Sequence, residues 1–366
     1  MLRRRQARLG LRGGCALAIA SLAACGAIHA PWSRPARSEP FAILETGDLA
    51  ALDRAADAAL AELERPATRA APVTPSSTPD GGSSGGSSQT VVQGLVALRR
   101  LIAAPPSDFG AALAAAFSAG APVPVLVTGY YEPTLRARRA PDASFRYAIY
   151  GRPDDLGGDS VPLPTRAEIE AGALSGRGLE RFWTDDPIEL FFLHVQGSGR
   201  LELDDGTIVR VGFAGSNGQP YRAIGKDLVD RGALEPGTAT APAIKAYLRA
   251  HPDEIAPTLE ANPRYVFFRV LDRSPDAGPP GSLGAELVPY RSVAIDPRSE
   301  PLGRIGVLAT TLPGGRRMTT IVIAMDSGAA ITGPGRVDLF LGAGREAEAI
   351  AGELSSRGEV SWLAPR

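Results

Sequence analysis

Two aspartates stand among apolar residues in the segment Ala324-Met-Asp-Ser-Gly-Ala-Ala-Ile-Thr-Gly-Pro-Gly-Arg-Val-Asp-Leu-Phe-Leu-Gly-Ala-Gly344, near the C-terminus. An apolar run over 321–324 precedes Asp326, and apolar residues at 337 and 339–341 flank Asp338. Apolar runs bounded by glycines are typical of short strands that end in tight turns. The pattern therefore predicts a strand-rich region in which each aspartate lies at the edge or the end of a strand.

The apolar surroundings of these two carboxyl groups disfavour their charged forms. A carboxyl partly removed from water has a raised pKa, and a second carboxylate nearby raises the pKa of one of the pair further. An acid that is still protonated near neutral pH can donate its proton to a leaving oxygen, as the general acid of glycoside cleavage does. The residues leave a second interpretation open, in which Asp326 caps the turn at Ser327-Gly328 and Asp338 caps a neighbouring backbone amide.

The N-terminus has the pattern of an exported lipoprotein. Arginines precede an apolar run over 13–24 that is too short for a stable membrane anchor and that leads into the lipobox Leu22-Ala-Ala-Cys25. We therefore predict a signal peptide over 1–24 and lipid attachment at Cys25, where several acyl chains would hold the protein on a membrane. The alternative is an ordinary secretory signal that is cut near Ala27 or Ala30, which would release a soluble periplasmic protein.

The cysteines and histidines argue against several kinds of chemistry. Cys15 lies in the predicted signal peptide and Cys25 is the predicted lipid site, so no thiol is expected to serve a disulfide, a nucleophile or a metal. The histidines at positions 29, 194 and 251 show no metal-ligand spacing, although His194 alone could serve a Ser-His-Asp triad. We therefore expect neither a metal nor a cofactor.

Charge and composition favour a β-rich protein that does not bind nucleic acid. Removal of residues 1–24 takes away five arginines and no acidic residue, so the formal net charge of −1 becomes −6. Nucleic-acid binding depends mainly on basic contacts to phosphate, which an acidic chain does not offer. The 42 glycines and 32 prolines, with only 6% aromatic residues, favour many turns and short strands over a helical bundle.

Periodicity divides the chain into regions. A tether is expected over 25–40, and residues 67–89, rich in Ser, Gly and Pro, are predicted to be a disordered insertion. Helices are expected over 48–63, 91–103, 109–117, 220–231 and 240–250. Strands are expected over 123–133, over 191–203 and 207–213 as a hairpin, and through most of 288–363. A linker rich in Pro and Gly over 273–284 precedes the last strand-rich region.

Polar residues and tyrosines gather at the predicted strand ends. The segments Gln196-Gly-Ser-Gly199 and Gly215-Ser-Asn-Gly-Gln-Pro-Tyr221 place small and amide side chains at transitions from strand to turn. Such groups can bond sugar hydroxyls and N-acetyl groups, and the rings of Tyr130, Tyr131 and Tyr221 can stack on pyranose faces. Turn formation and ordinary aromatic packing explain the same residues equally well.

The chain also carries five motifs in order: Thr128-Gly-Tyr-Tyr-Glu-Pro133, Gln196-Gly-Ser-Gly199, Asn217-Gly-Gln-Pro-Tyr221, Arg291-Ser-Val-Ala-Ile-Asp296 with Pro301-Leu-Gly303, and the segment 324–344. Together these motifs resemble the membrane-bound lytic murein transglycosylase A family, and the resemblance covers the chain from about residue 90 to its end. The chain departs from the family pattern in two ways. Where the chain has Ala329-Ala330, the family pattern begins with a glycine, and the chain has one extra residue between the two aspartates.

The resemblance implies a mainly β fold with two domains and a few helices. A double-psi β-barrel is expected from residues 41–134 and 285–366, the second part being the 3D domain of that family. A second β-rich, barrel-like domain is expected as an insertion over 135–284, with a groove for a glycan strand at the junction. The strand-rich region followed by a Pro- and Gly-rich linker agrees with this organisation.

The resemblance also implies the functional residues. Asp338 matches the family's catalytic acid, and Asp326 is expected to shape the site and to tune Asp338. Lipid attachment is expected at Cys25, and no metal site is expected. Substrate-binding residues are expected at Thr128, Tyr130, Gln196, Ser198, Asn217 and Tyr221.

The reaction that the resemblance implies is non-hydrolytic cleavage of the β-1,4 bond between N-acetylmuramic acid and N-acetylglucosamine in peptidoglycan. Asp338 would protonate the leaving oxygen and then take the proton from the muramyl O6 that attacks C1, which closes a 1,6-anhydro ring. The expected partners are glycan strands, the membrane through the N-terminal lipid, and proteins of cell-wall synthesis or division. The expected location is the periplasmic face of the outer membrane.

Two other functions stay open. A peptidoglycan hydrolase would use Asp326 and Asp338 as an acid and base pair, and it would produce reducing ends instead of anhydro ends. A lipoprotein that binds peptidoglycan without cleaving it would be indifferent to the replacement of Asp338 by asparagine.

Overall fold

The computed structural model describes residues 48–65, 88–154, 163–274, 277–328 and 331–366. Several sequence predictions concern segments outside the described residues: the signal peptide over 1–24, the lipid site Cys25, the tether over 25–40, residues 67–87 of the insertion, and the two alanines at 329 and 330. None of the helices in the described ranges is long and apolar enough to span a membrane.

Three helices come first along the described ranges, and strands with interspersed helices follow. The helices are α1 (Leu49–Leu63), α2 (Ser88–Ala103), α3 (Phe109–Ala116), α4 (Arg166–Glu168), α5 (Pro187–Gln196), α6 (Ile224–Asp230), α7 (Ala241–Ala250), α8 (Ile255–Glu260) and α9 (Gly344–Glu353). The strands are β1 (Phe117–Ala119), β2 (Val123–Glu132), β3 (Thr134–Ala137), β4 (Tyr147–Tyr150), β5 (Glu180–Thr184), β6 (Ser198–Leu203), β7 (Ile208–Ser216), β8 (Val266–Val270), β9 (Ser292–Ile295), β10 (Ile305–Thr311), β11 (Arg317–Ser327), β12 (Arg336–Ala343) and β13 (Ser355–Pro365).

Six strands close into a barrel. The order around its wall is β13-β10-β11-β9-β12-β2, and β2 pairs back with β13, while β1 extends the wall from β13. β12 runs parallel to β2 and antiparallel to β9, and β9 runs parallel to β11. The prediction of a mainly β fold with a barrel and a few helices is therefore confirmed. The double-psi crossing of the strands stays a prediction.

The barrel wall is buried on both faces. One apolar cluster fills the barrel and includes Val322 and Leu339. Helices α1, α2 and α3 cover the outer face, where Ile321 and Ile323 belong to a second apolar cluster. Burial on both faces explains why these strands appear in the sequence as continuous apolar runs instead of as an alternation.

A four-stranded sheet forms the core of a second unit. Its strand order is β3-β6-β7-β8, and the two-stranded sheet of β4 and β5 packs against it. The chain passes from the barrel into this sheet between Glu132 and Thr134 and returns to the barrel after β8. β6 and β7 pair as the predicted hairpin around residues 204–206. The domain boundaries at 134/135 and 284/285 stay predictions.

The prediction of a single strand over 191–203 is wrong in its first half, which belongs to α5. Asp186 caps this helix by accepting two backbone N–H hydrogen bonds, Pro187 lies in the first turn, and Gly197 ends the helix with a left-handed φ of 76°. Residues 190–195 are all buried, so the sequence lacks the polar face whose period would have indicated a helix.

Two other helices begin at positions that differ from the prediction. α2 begins at Ser88 instead of Val91, so it includes the last two residues of the predicted insertion. α6 begins at Ile224 instead of at residue 220. The segment before α6 is held by a side chain from another loop, because the N–H of Arg222 donates to Oδ1 of Asn262 at 3.1 Å.

Candidate active site

Asp326 and Asp338 lie on either side of Ala294 in the barrel wall. Asp338 of β12 is opposite Ala294 in the antiparallel pair with β9, and Asp326 of β11 is opposite the same residue in the parallel pair. Adjacent strands are about 4.8 Å apart, so the backbones of the two aspartates are separated by roughly 9–10 Å. The small side chain of Ala294 leaves space between the two carboxyl groups.

A β-bulge in β11 turns Asp326 towards this face. Ala324 and Asp326 pair with consecutive residues of β9, so Met325 is an extra residue in the strand. Val322 and Ala324 point into the barrel, and a regular alternation would have pointed Asp326 inward as well. The bulge reverses the alternation and brings Asp326 to the face that carries Asp338.

The two oxygens of Asp338, a fully buried residue, have different surroundings. Oδ1 accepts a hydrogen bond from the hydroxyl of Thr128, which is the opposite residue in β2, and Nε of Arg336 lies 3.3 Å from the same oxygen. Oδ2 has no hydrogen-bond partner among the described residues. A buried polar atom without a partner is unfavourable, so Oδ2 is the oxygen of Asp338 that is still able to take part in a hydrogen bond.

Asp326 is hydrogen-bonded at both oxygens. Its Oδ1 accepts from the N–H of Ser282 at 2.8 Å, from the hydroxyl of Ser282 at 2.7 Å and from the N–H of Ser327 at 2.8 Å. Its Oδ2 accepts from the hydroxyl of Tyr130 at 3.2 Å. Burial raises the pKa of Asp326 to about 6, and the four donors oppose this rise because they favour the charged form. Asp326 is therefore mainly a carboxylate at neutral pH.

Tyr130 is part of the site but does not offer an open ring. Its ring packs on Phe340, with the ring centroids 5.3 Å apart, and is only 3% exposed. Burial, followed by the charges of Asp326 and Asp338, raises the pKa of Tyr130, so its hydroxyl stays a neutral donor. Tyr131 is also buried. Neither ring has the exposed face that the sequence predicted for stacking on a sugar.

The other four predicted substrate-binding residues lie in the second unit: Gln196, Ser198, Asn217 and Tyr221. Within the described ranges, none of them forms a hydrogen bond with Asp326 or Asp338. The structure therefore brings Thr128 and Tyr130 together with the two aspartates and leaves these four residues elsewhere.

Asn217 connects three segments of the second unit. Its Nδ2 donates to the carbonyl oxygens of Pro164 at 2.9 Å and Pro263 at 2.8 Å. Its Oδ1 accepts from the N–H of Tyr265 at 2.8 Å. Both ends of the amide thus form hydrogen bonds within the protein. This agrees with the turn-forming role that the sequence analysis left open for Asn217. Binding of substrate by Asn217 stays a prediction.

A groove of about 1070 Å³ lies at the junction of the two units. The barrel contributes Tyr131 and Glu348 to its lining, and the second unit contributes Arg136 and Glu189. Asp326 and Asp338 are not among its described lining residues. The described lining of the groove thus comes from residues other than the two aspartates.

Sequence reasoning missed Ser282 and Arg336. Ser282 lies in the Pro- and Gly-rich linker, where no local signal marks it, because it reaches Asp326 only through the fold. Arg336 precedes Asp338 by two residues, and the strand period of two places both on one face. The position of Arg336 beside Asp338 could therefore have been predicted from the sequence.

The fold and the site define a class of protein, a closed β-barrel with a paired-aspartate site on the outer face of its wall. Two family models match the chain. The model described as "MltA specific insert domain" matches residues 126–269, and the model described as "3D domain" matches residues 291–364.

Curated relatives carry the same family name. The membrane-bound lytic murein transglycosylase A of Vibrio cholerae is 36% identical over 246 residues, which are 64% of this chain and 64% of the relative. The protein of that name from Escherichia coli K12 is 35% identical over 249 residues, which are 65% of each chain. The alignments thus span just under two thirds of the length of these relatives.

Solved structures extend the similarity to most of the chain. A membrane-bound lytic murein transglycosylase from Agrobacterium tumefaciens is 30% identical, with a TM-score of 0.72 over 87% of this chain and 93% of that chain. The lytic transglycosylase LtgG of Burkholderia pseudomallei is 39% identical, with a TM-score of 0.58 over 86% and 91%. E. coli MltA with bound chitohexaose is 30% identical, with a TM-score of 0.66 over 75% and 83%. The chain belongs to the MltA family.

Proposed function

We propose that the chain is a lytic transglycosylase that cleaves the β-1,4 bond between N-acetylmuramic acid and N-acetylglucosamine and leaves 1,6-anhydromuramyl ends. The proposal rests on a difference between the two aspartates. Both oxygens of Asp326 accept hydrogen bonds, whereas Oδ2 of Asp338 is buried and has no hydrogen-bond partner among the described residues. The names of the relatives, and the chitohexaose bound to the E. coli protein, support it.

In the proposed reaction Asp338 serves as acid and then as base. Its protonated Oδ2 donates the proton to the glycosidic oxygen, and the bond between that oxygen and the muramyl C1 breaks. The carboxylate then takes the proton from the muramyl O6 while O6 forms a bond to C1. The product is a 1,6-anhydro sugar, no water is consumed, and Asp338 ends the cycle protonated.

Asp326 is proposed to act through its charge. Its Oδ1 already accepts three hydrogen bonds, so no position remains there for a proton directed at a substrate. A carboxylate held in place by donors can stabilise the positive charge that develops near C1 in an oxocarbenium-like transition state. Different surroundings thus give two aspartates different roles, which is a recurrent arrangement in glycosidases.

A two-carboxylate hydrolase is the second candidate function. The observation in its favour is that both aspartates lie on one face and are separated by a single strand, with Ala294 between them. Pairs of carboxyl groups that activate water are about 6.5–9.5 Å apart in inverting glycosidases. The hydrogen bonds to Asp326 count against this function, because a general base needs an oxygen that can accept a proton from water.

Anchoring at a membrane is also part of the proposal. The predicted lipid on Cys25 would hold the protein at the periplasmic face of the outer membrane, and the relatives' names describe them as membrane-bound. We expect Cys25→Ser to move the protein from the membrane fraction to the soluble periplasmic fraction. A wild-type protein found in the soluble fraction would contradict the anchor. Partners in cell-wall synthesis or division stay a prediction.

Mass spectrometry of the products tests the reaction. Purified wild-type protein, Asp338→Asn and the control Asp272→Asn, which changes an exposed aspartate, would be incubated with peptidoglycan. Anhydromuropeptides from the wild type and the control, but not from Asp338→Asn, are the expected result. Reducing-end products would favour the hydrolase. Absence of products from all three would favour a lipoprotein that binds peptidoglycan without cleaving it.

A further inference from the structure

A small polar cavity lies in the second unit, between α5, β8 and the segment before α6. Its volume is about 10 Å³, and His194, Tyr221 and Val266 contribute to its lining. A volume of this size holds about one water-sized oxygen. The cavity is separate from the paired aspartates of the barrel and has no part in the mechanism proposed above.

The imidazole of His194 is held rigidly at this cavity. The residue is 4% exposed, and its ring packs against Tyr265 and Phe268 with centroid distances of 4.2 and 5.6 Å. Because both neighbouring rings are buried, His194 cannot rotate to another position without disturbing the core. The directions of its two ring nitrogens are therefore fixed by packing.

A hydrogen bond from Arg166 determines the tautomer of His194. Nη2 of Arg166 lies 3.0 Å from Nδ1 of His194, and a guanidinium group can only donate. Burial, together with the charge of Arg166, lowers the pKa of His194 well below its usual value, so the ring is neutral. Nδ1 is consequently the acceptor, and Nε2 carries the proton. In the described part of the chain this buried Nε2–H has no partner.

The hydroxyl of Tyr221 is a second unsatisfied group at the cavity. It is buried and lacks a hydrogen-bond partner in the ranges that the structure describes. Burial raises the pKa of Tyr221 to about 12, so the hydroxyl stays protonated and can donate. Arg166 satisfies neither group: its other hydrogen bonds go to Glu170 and to the carbonyl oxygens of Asn262 and Arg264, and a guanidinium donor cannot accept from His194 Nε2–H.

We propose that the cavity binds one oxygen of hydroxyl size, which accepts the hydrogen bond of His194 Nε2–H and also bonds the Tyr221 hydroxyl. Buried donors in folded proteins are rarely left unpaired, and a buried water needs two or more polar partners, which these two groups supply. Such an oxygen can come from solvent water or from a hydroxyl of a bound glycan. The glycan source rests on the proposed function, whereas the site itself does not.

An oxygen at this position would tie Tyr221 to α5. It would link the hydroxyl of Tyr221 to the imidazole of His194, whose orientation is fixed by Arg166. The segment that leads from β7 into α6 would thereby be held in place. Tyr221 would then act as a positioning residue whose hydroxyl faces inward, in place of the exposed sugar platform expected from the sequence.

High-resolution crystal structures of the full mature chain, free and soaked with chitohexaose, test the proposal. One oxygen within hydrogen-bond distance of both atoms is expected in the wild type. If the oxygen is present in the free protein it is water, and if it appears only with the oligosaccharide as part of a sugar ring it is a glycan hydroxyl. Absence of the oxygen from both structures would overturn the proposal.

Two variants and one spectroscopic measurement complete the test. Tyr221→Phe is expected to lose the oxygen, whereas Tyr247→Phe, which alters a half-buried tyrosine of the same apolar cluster, is expected to retain it. Nitrogen NMR of the wild type should show the Nε2–H tautomer of His194, and the Nδ1–H tautomer would overturn the proposal even if a variant failed to fold. None of these measurements depends on enzymatic activity, so the oxygen site can be confirmed even if the protein does not cleave peptidoglycan.

Discussion

At the residue scale, hydrogen-bond donors distinguish two chemically identical side chains. Asp326 accepts hydrogen bonds from two backbone N–H groups and two hydroxyls, whereas Asp338 accepts only at Oδ1. Donors favour the charged form of a carboxyl, and an oxygen without donors can hold a proton or contact a substrate. The same residue type can therefore serve as a fixed charge at one position and as a proton carrier at the other.

Replacement of Thr128 tests how Asp338 is positioned. Thr128→Val removes the hydroxyl that donates to Oδ1 while it keeps the shape of the side chain. In the proposed reaction Asp338 is charged once it has donated its proton, and a hydrogen bond to a charged group contributes about 1.5–3 kcal/mol. We therefore expect kcat for anhydromuropeptide release to fall about 10- to 100-fold. Thr128→Ser keeps a hydroxyl and should retain most of the activity. Equal rates for the valine variant and the wild type would contradict this role of Thr128.

Asp326→Asn should separate stability from activity. The folded-state pKa of Asp326 is about 6 and its ordinary value is 3.8, so its charge destabilises the fold above pH 6, and the penalty disappears as the pH falls towards 4. Each pKa unit corresponds to about 1.4 kcal/mol, so the variant should be more stable at pH 7 by at most about 3 kcal/mol.

The measurement is thermal or urea unfolding of Asp326→Asn and wild type at pH 7 and at pH 4, together with the cleavage assay. We expect a gain in stability at pH 7, little difference at pH 4, and lower activity at both. A variant that is less stable than the wild type at pH 7 would indicate that the donors outweigh the cost of burying the charge.

At the scale of single elements, the bulge in β11 and the short strand β9 assemble the site. The bulge at Met325 sets the side on which Asp326 lies, and β9 places Ala294 between Asp326 and Asp338. Bulges often redirect a side chain next to a functional site. The site is therefore a property of strand register, which no single residue of β11 determines.

Ala294→Val tests the space between the two aspartates. Two extra methyl groups in a fully buried position should cost about 1–3 kcal/mol of stability, and they should push the carboxyl groups out of place. We expect activity to fall by more than the loss of folded protein explains, as measured by product release and by circular dichroism on the same sample.

Ala309→Val is the matched control for this prediction. Ala309 is half-buried in β10, which is separated from β9 by β11, so its enlargement should leave the site intact. Similar losses of activity for Ala294→Val and Ala309→Val would show that the barrel responds to any added volume, and the special role of Ala294 would be rejected.

At the scale of the whole molecule, buried charges join the barrel to the second unit. Lys245 of α7 donates to Glu189 of α5 and to Glu348 of α9, and it lies 3.4 Å from the hydroxyl of Tyr131 in β2. A second link joins Glu132 at the end of β2 to a side chain of β7. Because these pairs are mostly shielded from water, their geometry restricts the orientation of one unit relative to the other.

Lys245→Met should weaken this junction. Lys245 is 4% exposed, but Glu348 is 30% exposed and Glu189 keeps its pair with Arg249. We therefore expect a cost of about 1–3 kcal/mol, below the about 3–5 kcal/mol of breaking a fully buried ion pair. Lys226→Met is the control, since Lys226 is 73% exposed in its pair with Asp230 and should contribute about 0–1 kcal/mol. Urea unfolding measures both variants, and equal effects would rule out the junction as a stabilising contact.

Much of the fold and part of the site could be predicted from the sequence. The apolar period over 48–63 predicts the helix that the structure shows as α1, and the Asp-Gly turn predicts the hairpin of β6 and β7. The range 191–203 was assigned wrongly because α5 is buried on all sides, so its residues show neither a helical nor a strand period. For an element with no exposed face, an apolar run does not by itself distinguish a buried strand from a buried helix.

The sequence by itself determined which residue types were available, namely two aspartates in apolar strands, the motifs of the MltA family, and a β-rich chain with a few amphipathic helices. Only the tertiary structure decided that Asp326 and Asp338 share one face, that Ser282 from a distant linker donates to Asp326, and that the ring of Tyr130 is buried. The physical reason is that strand register, bulges and long-range hydrogen bonds depend on which segments meet in space, and local sequence carries no record of that pairing.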